Sequence, residues 1–147
     1  MDHRSKILVD DDSIARLVRG LRRVAVLGIK TEAQRGQPAF YVPEALAAAG
    51  IEIVPVPVYF PDVTTILGRP VHRRLVDVPG PVDLVDVFRR PSDLEAHVED
   101  LLAARPAAVW FQSGIRNDAV AETLARAGIA VVQDRCLMVD HRRFSGG

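Results

Sequence analysis

Val24-Ala25-Val26-Leu27-Gly28 decides the fold. An apolar run ends on a glycine, and a polar loop from Ile29 to Pro38, carrying Lys30 and Arg35, then leads toward a helix. Short, nearly continuous apolar runs suit strands buried on both faces of a parallel sheet. Four more runs rich in valine or isoleucine follow: Ile51–Val56, Val82–Phe88, Ala107–Phe111 and Ile129–Val132. Between most of them the spacing predicts helices. Phe40–Ala49 puts Val42, Leu46 and Ala49 on one stripe and stops at Gly50. Pro91–Arg105 puts Leu94, Val98, Leu101 and Leu102 on one face. Asn117–Ala127 opens on a capping residue, carries Val120 and Leu124, and stops at Gly128. Strand–helix–strand repetition implies right-handed crossovers. The expected class is α/β: a doubly wound, mainly parallel sheet of about five strands with helices on both faces.

Outward from these elements, residues 1–12 read as a mobile arm. Asp12 or Ser13 caps a short helix over roughly residues 13–20, where Ile14, Leu17, Val18 and Leu21 recur at helical spacing and Gly20 ends the element. Residues 1–22 are thus an arm with a short helix, and 23–147 a single domain. Segment 57–81 breaks the pattern. It holds Pro57, Pro61, Pro70, Pro79 and Pro81 with Gly68 and Gly80, and reads as loop with a short strand near Val71–Arg73.

A chain of 147 residues fits one core. Nineteen basic and nineteen acidic side chains cancel, so no global field draws the chain to nucleic acid or an anionic membrane, and any anion site must be local. No apolar run approaches the ~20 residues of a membrane span. Met1–Asp12 lacks the apolar region of a signal peptide. Cys136 is the one cysteine, which rules out an internal disulfide and suits a reducing compartment; the expected location is the cytoplasm. An aromatic content of 5% argues against base stacking on single strands.

In such a sheet, ligands bind outside the carboxyl ends of the strands, at the switch point of strand order. The wall is then Gly28–Pro38, Pro57–Tyr59, Phe88-Arg89-Arg90-Pro91, Gln112-Ser113-Gly114-Ile115 and Gln133-Asp134-Arg135-Cys136. Gly28 is either a tight turn with no ligand or the start of a phosphate-binding loop. A dinucleotide fingerprint needs a second glycine where Lys30 stands, and an acid at the second strand end where Val56-Pro57 stand, so NAD is disfavoured. Arg89 and Arg90 suit a polyphosphate, because arginine offers phosphate a planar fork of donors; they fit a 2′-phosphate as well, which keeps NADP open. Their alternative is solvation or pairing with Asp83 and Asp86. Arg73-Arg74 and Arg142-Arg143 read as solvated surface, the latter with His141 also as a contact to a second subunit of a homo-oligomer.

The ordered set of Val24–Gly28, Ile53-Val54-Pro55-Val56, Pro81–Pro91, Val109–Ile115 and Val132–Arg143 resembles the small single-domain CoA-binding proteins, similar in fold to the CoA-binding domain of the succinyl-CoA synthetase α subunit. The resemblance implies a Rossmann-like domain with coenzyme A as cofactor. Gly28, Ile29, Lys30 and Arg35 would meet phosphates. Val56 and Pro57 would flank the adenosine, and Phe88, Arg89, Arg90 and Pro91 would border the ADP or pantetheine. Gln112 and Gly114 complete the expected set. Relatives often carry a serine where Lys30 stands, and a Ser-Tyr pair where Phe40-Tyr41 open the helix.

No catalytic constellation accompanies these residues. His3, His72, His97 and His141 show no metal-ligand spacing, and no serine sits in a nucleophile elbow. Cys136 is either a packed, inert side chain or a thiol able to form a mixed disulfide with CoA. Asn117 either caps its helix or contacts pantetheine. The leading expectation is a non-catalytic module for CoA or an acyl-CoA. The alternatives are a CoA-dependent ligase or transferase component that needs a partner chain, and an NADP-binding regulator.

Overall fold

The computed structural model describes residues 2–145. Met1 of the expected arm and Gly146-Gly147 at the end of the expected domain lie outside the described residues. The chain runs α1 (Asp11–Arg19), β1 (Arg23–Leu27), α2 (Pro38–Ala48), β2 (Glu52–Val56) and a small hairpin of β3 (Thr65–Ile66) and β4 (Arg69–Pro70). It continues through β5 (Leu84–Val87), a 3-10 segment Pro91–His97 leading into α3 (Val98–Ala104), β6 (Ala108–Phe111), α4 (Asp118–Arg126), β7 (Ala130–Val132) and α5 (Leu137–Phe144). Five strands form one parallel sheet in the order β2-β1-β5-β6-β7, a Rossmann-like α/β fold.

The apolar runs alternate between two buried faces. Val24 and Val26 of β1, Leu84 of β5 and Trp110 of β6 pack under α1, α2 and α5 through Ile14, Val18, Phe40, Leu46 and Leu137. Ala25, Leu27, Val85, Val87 and Phe111 face the other way, against Leu94, Leu101, Val120 and Leu124. Fully burying one such aliphatic or aromatic side chain contributes about 1.5–3 kcal/mol, so these two layers supply the main drive to fold.

Three prolines and glycines have positional reasons. Pro55 lies in β2, an edge strand of the sheet, where a missing N–H costs no ladder bond. Pro43 lies inside α2 and leaves the Ala39 carbonyl without its helical donor; the Lys30 N–H fills that gap at 3.1 Å and ties the β1–α2 loop to the helix. Gly28 has φ +85°, open to glycine at little cost.

Several boundaries differ from the sequence expectations. Asp10, not Asp12 or Ser13, caps α1, accepting from the Ser13 N–H at 2.9 Å. Pro38 opens α2 two residues earlier than the apolar stripe implies, in keeping with proline's fitness for the first helical turn. Pro91–Arg105 is not one α-helix: its first part is 3-10. The strand expected near Val71–Arg73 is instead the β3–β4 hairpin, with Ile66 wholly buried and the His72 N–H donating to Pro55 on the outer edge of β2.

The N-terminal segment, expected as a mobile arm, lies along the opposite edge. Ile7 forms a parallel bridge to Val131, the Leu8 N–H donates to the Val131 carbonyl at 2.8 Å, and His3 reaches Glu122 on α4 at 3.1 Å. Among the described residues, no helix is long and apolar enough to cross a membrane.

Candidate functional site

The register puts Val56, Leu27, Val87 and Phe111 side by side. The residues that follow them, Pro57, Gly28, Phe88 and Gln112, therefore stand in a row at the carboxyl edge of the sheet. The chain leaves β1 toward β2 on one side, while β5, β6 and β7 lie on the other, so the crevice opens between β1 and β5.

A cleft of about 640 Å³ occupies this edge on the α2/α5 face. Lys30 and the first turn of α2 (Pro38, Ala39, Tyr41, Val42) form one wall, Phe88-Arg89-Arg90-Pro91 the second, Gln112–Ile115 the floor, and Cys136, Met138 and Val139 the far end. Seven of the expected site residues come together here: Lys30, Phe88, Arg89, Arg90, Pro91, Gln112 and Gly114.

The other five lie elsewhere. Ile29 and Val56 are buried in the two core layers. Gly28 sits beneath the crevice; its N–H donates to Val56 at 2.9 Å, and its backbone abuts Phe88. Pro57 lines a neighbouring recess of about 420 Å³ on the other face, beside Arg73, Arg74 and His97. Arg35 is exposed, 4.0 Å from Glu44 and 5.8 Å over the Phe40 ring. The loop also satisfies most of its own donors: Thr31 caps a short turn with a reciprocal Gln34 bond, and the Lys30 ammonium is held by Gln37.

The two arginines are braced differently. Arg89 is half-buried. Its Nε donates to His97 Nε2 at 3.2 Å, its Nη1 to the Tyr59 hydroxyl at 3.2 Å, and its Nη2 lies 3.5 Å from Asp93. Arg90 is exposed and pairs with the same Asp93 at 3.1 Å. The partners considered from sequence are thus not used. Asp83 accepts from the Arg22 and Arg23 backbone N–H groups at the opposite end of the sheet, and Asp86 points into the core. Burial, then the Arg89 charge, hold His97 below the ordinary imidazole range, which keeps it a neutral acceptor. The Arg89 hydrogen bond lowers the Tyr59 phenol. Arg73 is exposed, as expected, and also donates to the Phe60 and Val63 carbonyls at 2.9 and 2.6 Å, shaping the loop beyond Tyr59.

The far end of the cleft is stitched by backbone bonds. Asp134 accepts the Gly114 N–H at 2.6 Å, Gln133 accepts the Asn117 N–H at 2.8 Å, and Trp110 donates to the Arg135 carbonyl at 2.7 Å. Arg135 pairs with the buried Asp140 at 2.7 Å, a bond that raises the Arg135 pKa. Asn117 caps α4, accepting from Val120. Gln112 is 4% exposed; its Oε1 accepts the Leu137 N–H at 3.0 Å and so anchors the start of α5. Cys136 precedes that helix and is half-buried.

Sequence reasoning missed α5, and with it Met138 and Val139. The signal was present in weak form: Asp140 in the first turn and His141, Arg142 and Arg143 in the last. It also missed Asp86, whose carboxyl is wholly buried with neither oxygen hydrogen-bonded; burial pushes it well above the usual carboxylate range. A second cleft, about 570 Å³, lies outside β7, where Arg4, Arg116 and Arg135 are matched by Asp118, Glu122 and Asp134. Its charges cancel, whereas the first cleft is net cationic, with Asp93 alone behind Arg89 and Arg90. Among the described residues, no group of three potential metal-ligating side chains clusters.

Residues 22–142 match the family model of the CoA binding domain. The chain is 31% identical over 128 residues to the YneT protein of Bacillus subtilis (strain 168), a match spanning 87% of this chain and 91% of that one. Its backbone is similar to a Thermus thermophilus structure at TM-score 0.84 and 39% identity, with 92% of this chain and 99% of the other covered. It is also similar to a dinucleotide-forming acetyl-coenzyme A synthetase of Ca. Korarchaeum cryptofilum, at TM-score 0.64 and 16% identity; that match covers 80% of this chain and 26% of the synthetase, and bears on fold alone. With the family model matched over residues 22–142, the chain belongs to the CoA-binding domain family.

Proposed function

We propose that this protein is a non-catalytic binding module that holds coenzyme A in the α2/α5-face cleft, its phosphates at Lys30, Arg89 and Arg90 and its pantetheine running over Phe88 toward Gln112 and Gly114. The observation that carries this reading is the rim of Lys30, Arg89 and Arg90, three cations against the one Asp93 carboxylate the arginines share, above an apolar cleft at the β1–β5 crevice, in a chain of this family. Arginine forks and a lysine point charge favour a polyphosphate. The β2 end, Val56-Pro57, offers no acid to a ribose diol, which disfavours NAD.

The titratable lining of the cleft, among the described residues, is Lys30, Tyr41, Arg89, Arg90 and Cys136. A carboxylate–histidine pair is not part of that wall, which supports binding without turnover. The fold likeness to one portion of a larger synthetase favours a second reading, a ligase component completed by a partner chain. An NADP-binding regulator is the third.

Calorimetry with CoA, 3′-dephospho-CoA and NADPH separates these. The proposed reading expects CoA to bind in the micromolar range, dephospho-CoA more weakly, and NADPH weakest, with CoA and acetyl-CoA recovered unchanged after incubation. NADPH binding more tightly than CoA would replace it with the regulator. Turnover only on adding a partner chain would favour the ligase component.

A further inference from the structure

The polarity of the cleft changes along the order of the sheet. Its cations, Lys30, Arg89 and Arg90, stand after β1 and β5. Its far wall, beyond β6 and β7, is Ile115, Met138 and Val139, with Val42 of α2 beside them. Val139 is 52% exposed although it belongs to this apolar wall, and Tyr41 at its rim is 38% exposed. A ligand that ended at the middle of the cleft would leave this wall in water. One with a charged head and an apolar tail covers both parts.

Gln112 lies between the two zones. Its Oε1 is committed to the Leu137 N–H, which fixes which way the amide is turned. Its Nε2 is given no protein partner and opens onto the cleft, since it is not one of the enclosed unpaired atoms. A donor held in that fixed orientation and facing the cleft can bond a ligand carbonyl oxygen in place of water.

Resting on the CoA reading above, we infer that the cleft is built for an acyl thioester of CoA carrying a short or medium apolar chain. The thioester carbonyl accepts from Gln112, and the chain lies against Ile115, Met138 and Val139. Free CoA fills the cationic and central parts alone. Each methylene that leaves water contributes up to about fourfold in affinity, so the preference grows with chain length until the wall is covered. The binding is reversible, with no bond made or broken.

The test is calorimetry of CoA, acetyl-CoA, butyryl-CoA and hexanoyl-CoA against the intact chain and a Val139→Ser variant. Val139 sits in the first turn of α5, where serine is acceptable to the helix. The expected result is stepwise tightening, with hexanoyl-CoA at least tenfold tighter than CoA, and a ratio that shrinks at least threefold in Val139→Ser. A parallel readout uses Cys136, the one cysteine in the chain, which lines the far wall. Hexanoyl-CoA should slow its alkylation by iodoacetamide more than CoA does at equal saturation. Equal or tighter binding of free CoA, or equal protection of Cys136, overturns the acyl inference and leaves the CoA reading standing. No saturable binding of any of the four thiols and thioesters overturns both.

Discussion

Gly28 passes so close to Phe88 that a Cβ at position 28 would stand 2.3 Å from the Phe88 carbonyl oxygen. The glycine is thus required by the contact between the ends of β1 and β5, and by its φ of +85°, whether or not a ligand lies above it. Gly28→Ala combines a left-handed backbone with a clash against backbone that cannot swing away. The expected cost is about 3 kcal/mol, a loss of about 10 °C in Tm. Thermal unfolding checks this; a loss below about 2 °C would mean that β1 and β5 separate more easily than the packing implies.

Asp86 gives stability a pH dependence of defined sign. Its folded-state pKa is raised by burial, so the carboxyl is bound to its proton in the folded chain and loses it on unfolding. Its contribution is full below the unfolded value of about 3.9 and is lost as pH rises toward the folded value, at up to about 1.4 kcal/mol per pH unit. Asp86→Asn keeps the shape and abolishes the ionisation. Urea unfolding from pH 4 to 8 should show the variant gaining on the parent as pH rises. Parallel profiles would contradict a neutral, buried acid.

Arg89 and Arg90 should respond differently to substitution. Arg90 is exposed, tied to Asp93 by a surface pair of small worth. Arg90→Ala is expected to weaken CoA about tenfold, since a hydrogen bond to a charged group contributes about 1.5–3 kcal/mol, with Tm within about 1 °C. Arg89 is braced by His97, Tyr59 and Asp93. Lysine cannot reproduce that fork, so Arg89→Lys should weaken CoA and lower Tm together. Calorimetry and thermal melts on both variants read the contrast.

The segment before α1 covers the β7 edge of the sheet through Ile7 and Leu8. Removing residues 2–9 exposes a row of unpaired backbone groups on β7, a template for pairing with another chain. Light scattering should show concentration-dependent association in the truncated chain. A truncated chain as monodisperse as the intact one would show that the strap is dispensable.

The five main strands were legible because each is a short apolar run buried on both faces, and no other element produces Val24–Leu27 or Ala107–Phe111 so plainly. The cationic wall was legible for the same reason: Arg89 and Arg90 directly follow such a run. What depended on non-local contacts was hidden. Pro43 gives no hint that its missing N–H ties Lys30 to Ala39. Cys136 opens α5 without a capping bond, so the helix that completes the cleft carries little local signal. Asp86 reads as one polar residue in a strand, and only the packing of both sheet faces shows it wholly enclosed.

Amide NMR during a CoA titration locates the binding face residue by residue. Binding in the α2/α5-face cleft predicts the largest saturable shifts at Lys30, Phe88–Arg90 and Gln112–Gly114, with Arg35 and the residues around the β7-edge cleft little changed. Shifts centred on Arg4, Arg116 and Asp134, or none up to ~1 mM CoA, an affinity of only about 4 kcal/mol, would contradict it.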